Sequence, residues 1–137
     1  MDTAASGALG LIVSPIYIGL GALMFVLLSA RVILSRRENR VGIGTGGNQE
    51  LAQRIRAQGN CAEYLPMILI MLVAIEASGA PSWVVHLYGA VGLAARAVHA
   101  QALSRHGGTS PGRSLGMVGT FIVLVFGGIG LLGHALL

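Results

Sequence analysis

The chain has no lysine, one cysteine and little charge of either sign: 10% of its 137 residues are charged, against roughly 25% in a soluble domain. A water-facing surface cannot be assembled from so few charges, which excludes a soluble globular fold. The lone Cys61 rules out an intrachain disulfide and offers no metal-ligand spacing, so no metal is expected. Length excludes more. A chain of 137 residues holds one domain, with no room for a separate lid, a soluble catalytic module or a nucleic-acid-binding unit. The first apolar run lacks the basic leader and small-residue cleavage pattern of a secretory signal, and is expected to be retained. A pI near 10.2 suits a nucleic-acid partner in isolation. Here the net charge of +4 sits at the ends of apolar blocks, and no nucleic acid is expected.

What is present is apolar. Hydrophobic residues make up 54% of the chain and the mean hydropathy is +0.76. They fall into four long blocks, and a hydrocarbon core about 30 Å thick takes roughly 20 residues of helix. The pattern predicts an all-α fold: one integral membrane four-helix bundle over 1–137, with spans at roughly 8–34, 50–78, 81–104 and 113–136. The Gly-rich stretch 42–48 and the stretch 105–112 read as polar loops, and Gly79-Ala80-Pro81 as a tight turn, with Pro81 an early residue of the third helix.

All nine basic residues are arginines. Arg31, Arg36, Arg37, Arg40, Arg54 and Arg56 flank the first polar loop, and Arg96, Arg105 and Arg113 flank the second. The positive-inside rule places both loops in the cytoplasm and both termini outside. The short chain and compact loops point to a bacterial inner membrane. Glycines such as Gly19 and Gly21, Gly116 and Gly119, and Gly127, Gly128 and Gly130 are expected to let helix backbones approach closely.

Ionisable groups inside membrane spans are costly, about 2.5–3.5 kcal/mol each at the centre, and they inform when several share a face. Arg56, Asn60 and Glu63 are spaced i, i+4, i+7 and fall at about 0°, 40° and −20° around a helix, with Tyr64 at about 80°. Arg96 and His99 are neighbours at i, i+3 on the third helix. Arg113 and Ser114 open the fourth, and Arg36, Arg37 and Arg40 close the first. Mutual neutralisation of Arg56 and Glu63 is the plain alternative, and arginines near helix ends such as Arg31, Arg40, Arg54 and Arg105 reach the interface along their stems. His86 and His134 lie toward the other end and read as structural, Glu76 as merely solvated, and Cys61 as off the stripe and no nucleophile. Several arginines converging with one carboxylate and one amide suit a small zwitterion with more than one carboxylate: guanidinium forks grip carboxylates, and Glu63 takes an ammonium. Glutathione has that inventory.

The run Arg56-Ala57-Gln58-Gly59-Asn60-Cys61-Ala62-Glu63-Tyr64-Leu65-Pro66 closely resembles the helix-two signature of the MAPEG family, the membrane-associated proteins of eicosanoid and glutathione metabolism. Its R-x-x-x-N-x-x-E-x-x-P skeleton is present in full. Weaker likenesses follow in order along the whole chain: Ser35-Arg36-Arg37 with Arg40-Val41, Arg96-Ala97-Val98-His99, and Pro111-Gly112-Arg113-Ser114. The resemblance implies a homotrimer of four-helix protomers, with glutathione as cosubstrate between neighbouring subunits near the cytoplasmic face. By motif, Arg36, Arg56, Gln58, Asn60, Glu63, Tyr64, Arg96 and His99 would hold glutathione, and Arg113 with Ser114 would lie at the thiol. It further implies a transferase or peroxidase whose other partners are a lipophilic small molecule or lipid and the membrane lipids themselves. Leu103, one turn after His99, stands where relatives often carry tyrosine, so a contact is missing there. A non-catalytic lipid- or glutathione-binding protein on the same scaffold is the second reading. A small proton-coupled transporter, from a different class, needs an acid near the bilayer midplane. The first span has none, and Glu63 belongs to the stripe at the arginine end.

Overall fold

The structure, a computed structural model, describes residues 10–105 and 107–137; the expected start of the first span at Ala8 lies outside them. Four helices follow one another, α1 (Ser14–Asn39), α2 (Gln49–Ala77), α3 (Ser82–Arg105) and α4 (Pro111–Leu136), with no strand among the described residues. Local chemistry sets their limits. Pro15 and Pro111 stand at the first positions of α1 and α4, where a missing N–H costs nothing. The Asn48 side chain accepts from the Leu51 N–H at 2.8 Å and so caps α2. That helix ends at the Gly79 turn, where φ is +84°, a conformation only glycine adopts without strain. Pro81 lies just outside α3, its carbonyl accepting from Val84 N at 2.9 Å. α4 opens two residues earlier than Arg113, at Pro111.

Successive helices run antiparallel. Leu65 and Leu69 of α2 lie against Gly21 of α1, Ile68 of α2 against Gly92 of α3, and Ala95 and His99 of α3 against Gly116 of α4. α2 and α3 form the middle of the bundle. α1 packs mainly on α2, α4 mainly on α3, and α1 and α4 do not touch among the described residues. One apolar core near the Gly79 turn gathers Ile68, Leu72, Ile75, Val85, Tyr88 and Val123. A second, nearer the arginine loops, gathers Leu28, Ala57, Cys61, Leu65, Ala100 and Leu103. Close approach through small residues is met at Gly116, where an added Cβ would sit 2.5 Å from the Cβ of His99. It is not met at Gly19 or Gly130, which face open space in the protomer.

The outer surface is apolar: Leu23, Val26, Leu27, Ile70, Leu87, Val125, Phe126 and Ile129 are all more than half exposed. Such a belt is unstable in water and suits hydrocarbon. The chain is an integral membrane protein. α1, α2 and α4 are each long and apolar enough to cross a bilayer. By composition α3 falls short of the expectation of four such spans, and the structure gives the reason. Its polar residues Arg96 and His99 point inward and are buried, whereas Leu87, Val91 and Val98 face out. At 24 residues it is about 36 Å long, sufficient for a 30 Å core.

Glu76 is not merely solvated. Its carboxylate accepts from the backbone N–H groups of Ile12 at 2.8 Å, Val13 at 2.7 Å and Ser14 at 2.7 Å, and from the Ser14 hydroxyl. The last turn of α2 thereby caps the first turn of α1.

Candidate functional site

The expected stripe on α2 straddles the edge of the bundle. Its three members lie within about 60° of one another around the helix, and that spread is enough to divide them. Asn60 is buried, while the Arg56 and Glu63 side chains are 65% and 54% exposed and face each other with Nη1 and Oε1 3.8 Å apart. That separation allows attraction without a direct hydrogen bond. Gln58 is half-buried on the same helix.

Asn60 turns inward to Arg96, which is 1% exposed. Arg96 Nη1 donates to Asn60 Oδ1 at 2.7 Å. Its Nη2 faces the Gly116 carbonyl and the Met117 sulfur, both at 3.5 Å, at the outer limit of a useful bond. Its Nε is buried with no partner. The guanidinium carbon lies 5.2 Å from the centre of the Tyr64 ring, within range of a cation–π attraction. Tyr64 in turn meets Phe121 edge-on, with centroids 6.2 Å apart. Three helices therefore converge on one guanidinium and offer it an amide, a carbonyl, a thioether and a ring face. Among the described residues no carboxylate pairs with it. A charge so buried costs several kcal/mol unless an anion compensates it.

His99 stands one turn along from Arg96, 4% exposed and pressed against Gly116. Arg36 and Arg113 do not join this centre in the protomer. Arg36 Nη1 donates to the carbonyls of Gly44 at 2.9 Å and Gly42 at 3.3 Å, pinning the first loop. Arg113 Nη1 donates to the Gly108 carbonyl at 2.6 Å, holding the second, and Ser114 is exposed. Cys61 is 2% exposed, within the α1–α2–α3 core and beside Leu103. Met117 and Phe121 complete the surroundings of Arg96 and Tyr64 without having been singled out from the sequence. Neither residue type is unusual in an apolar helix, and only their places one and five residues after Gly116 would have pointed to them.

An apolar groove of about 600 Å³ opens between α3 and α4 toward the Gly79 turn, lined among others by Leu87, Tyr88, Val91, Ile122 and Phe126. Val91 precedes Arg96 by five residues of helix, about 7.5 Å along the axis.

The model of the MAPEG family matches residues 14–133. The inner membrane protein YecN of Escherichia coli (strain K12) is 40% identical over 87 residues, covering 64% of this chain and 66% of that protein. The inner membrane protein YecN of Escherichia coli O6:H1 matches to the same extent. The matched segment spans just under two thirds of the length of these relatives.

Proposed function

Because the chain belongs to the MAPEG family, we propose that it is a glutathione-dependent transferase or peroxidase working on substrates dissolved in the membrane. The observation that carries this reading is Arg96: a guanidinium buried among three helices, its Nε without a partner and no carboxylate paired with it among the described residues. It asks for an anion from outside the chain. Glutathione supplies two carboxylates and a thiol, and the neighbouring Arg56 and Glu63 offer one further cation and one acceptor for its ammonium.

Arg56 and Glu63 sit exposed on the outward side of α2. Hydrocarbon is a poor cover for them, and a second protomer is the natural one. In this reading the site lies between subunits of a homotrimer, and Gln58, Tyr64 and His99 help shape it. Arg36 and Arg113 with Ser114 enter from the loops of the same or the neighbouring protomer. A free thiol has a pKa of about 8.5, and each unit of lowering by a nearby arginine corresponds to about 1.4 kcal/mol. The thiolate would form a C–S bond to an electrophilic carbon as the leaving group departs with its electron pair. With a lipid hydroperoxide, two glutathiones would yield one disulfide, one alcohol and one water. The chain's own part is to bind the carboxylates, favour the thiolate and exclude water. The groove along Val91 and Ile122 offers the lipophilic reactant an apolar approach. By arginine placement the site faces the cytoplasm, and the naming of the relatives as inner membrane proteins supports that membrane.

A non-catalytic glutathione- or lipid-binding protein is the second reading. Leu103 favours it, being packed in the core where a tyrosine would have offered a hydroxyl. Calorimetry of glutathione binding to detergent-purified protein, with thiolate absorbance followed in parallel, decides between them. The transferase reading expects saturable binding, a thiolate signal near neutral pH, and at least tenfold weaker binding in Glu63→Gln and Arg56→Ala. Binding without thiolate supports the second reading. No binding at millimolar glutathione removes the glutathione site from both readings and leaves lipid binding alone.

A further inference from the structure

The outward face of α1 carries a stripe that changes character along its length. Leu23, Val26, Ala30, Ile33, Arg37 and Arg40 follow one another at steps of three and four residues, one line along a helix. Leu23 is 64% exposed, Val26 60% and Ile33 51%, Ala30 is half-buried, and Arg37 and Arg40 are exposed. From Leu23 to Ile33 the apolar part measures about 15 Å, half of a hydrocarbon core about 30 Å thick. It therefore matches the depth of one leaflet, and the two guanidinium arms follow where head groups lie.

Three further features sharpen the cationic end. A hollow of about 270 Å³ is lined there by Ile33, Arg36, Arg37, Arg40, Val41 and Gly42. Arg36 is committed to the loop carbonyls and forms part of its wall. Arg40 adopts a left-handed conformation, φ 54°, and Val41 N bonds back to the Arg36 carbonyl at 3.0 Å, so the chain folds over the helix end. Finally, the ion pairs among the described residues are Arg54–Glu50 and Arg56–Glu63. Among the described residues neither Arg37 nor Arg40 has a carboxylate partner, and neither side chain donates a hydrogen bond.

We infer that this face is a binding site for an anionic phospholipid, with the phosphate between Arg37 and Arg40 and one acyl chain along Ile33, Ala30, Val26 and Leu23. Guanidinium forks match phosphate oxygens. Basic residues just beyond a membrane helix draw anionic lipid, each changing the binding constant about fivefold. The apolar stripe adds what a soluble phosphate cannot use, so the site commits to a lipid. It stands on Arg37 and Arg40, outside the proposed glutathione site, with which it shares only the wall residue Arg36.

The test is thermal melting of the full chain in neutral detergent, titrated with phosphatidylglycerol, phosphatidylcholine or inorganic phosphate. Phosphatidylglycerol is expected to raise the melting temperature saturably and phosphatidylcholine not to. The double variant Arg37→Gln/Arg40→Gln should bind phosphatidylglycerol about twenty-fivefold more weakly, two steps of about fivefold. Arg105→Gln, at the other loop, should change it less than twofold. Equal response to the two lipids, full affinity in the double variant, or an equal shift from inorganic phosphate overturns the inference. If the double variant does not fold, the wild-type protein decides. Its preference for phosphatidylglycerol should vanish by about 0.5 M salt, where the screening length falls to a few ångström, and a preference that survives such salt overturns the site.

Discussion

At the start of α1 a single carboxylate from α2 accepts from the backbone N–H groups of Ile12, Val13 and Ser14. One side chain thus ends one helix, begins another and fixes the spacing between them. An ordinary cap is worth about 1 kcal/mol, and bonds to a charged acceptor about 1.5–3 kcal/mol. Glu76→Ala should therefore lower stability by about 2 kcal/mol, and Glu76→Gln, which keeps an acceptor but no charge, by about 1 kcal/mol. Thermal unfolding in detergent reads both, and identical melting of Glu76→Ala and wild type would show the cap to be idle. Nothing in the sequence separates this role from solvation, because Glu76 and Ser14 are 62 positions apart. Arg96 is the opposite case. Its spacing to His99 marked it, but that no carboxylate among the described residues pairs with it is a fact of three-dimensional placement.

Among the elements, α3 and α4 show what close packing does for the site. Gly116 has His99 Cβ 2.5 Å and the Ala95 carbonyl 2.8 Å from where its own Cβ would be, so the backbones there are nearly in contact. The same closeness brings the Gly116 carbonyl and Met117 sulfur to Arg96 and lets Thr120 Oγ1 donate to that carbonyl at 2.8 Å. Gly116→Ala overpacks this contact. It should cost about 1–3 kcal/mol and weaken glutathione binding, whereas Gly130→Ala, in open space, should do neither. Melting and calorimetry on the two variants test the pair, and equal loss in both would deny the contact its part. The polar stripe of α2 was legible from the sequence as a helical face, since Arg56, Asn60 and Glu63 recur at the helical period. Which of them faces the bundle was not, because the edge of the packed surface falls inside that face.

Over the whole molecule, the arginines collect at the end of the two loops and leave the Gly79 turn bare. The proposed orientation in the bilayer rests on that asymmetry and is testable without a ligand. With Cys61 buried and silent, Ser78→Cys should react with a membrane-impermeant thiol reagent on intact cells and Ser110→Cys only after permeabilisation. The reverse pattern would invert the proposed topology. The all-α membrane architecture, the family and the helix-two signature were determined by the sequence itself. Apolar runs must be hidden from water whatever their tertiary arrangement, and a local motif needs no partner to be read. Tertiary structure alone decided that α3 hides its polar residues, that Glu76 caps α1, that Arg96 sits buried with no carboxylate partner among the described residues, and that Arg56 and Glu63 stay exposed. Each of these depends on which residues from distant parts of the chain share the same few ångström, and side-chain periodicity along one helix carries no information about what the next helix places opposite it.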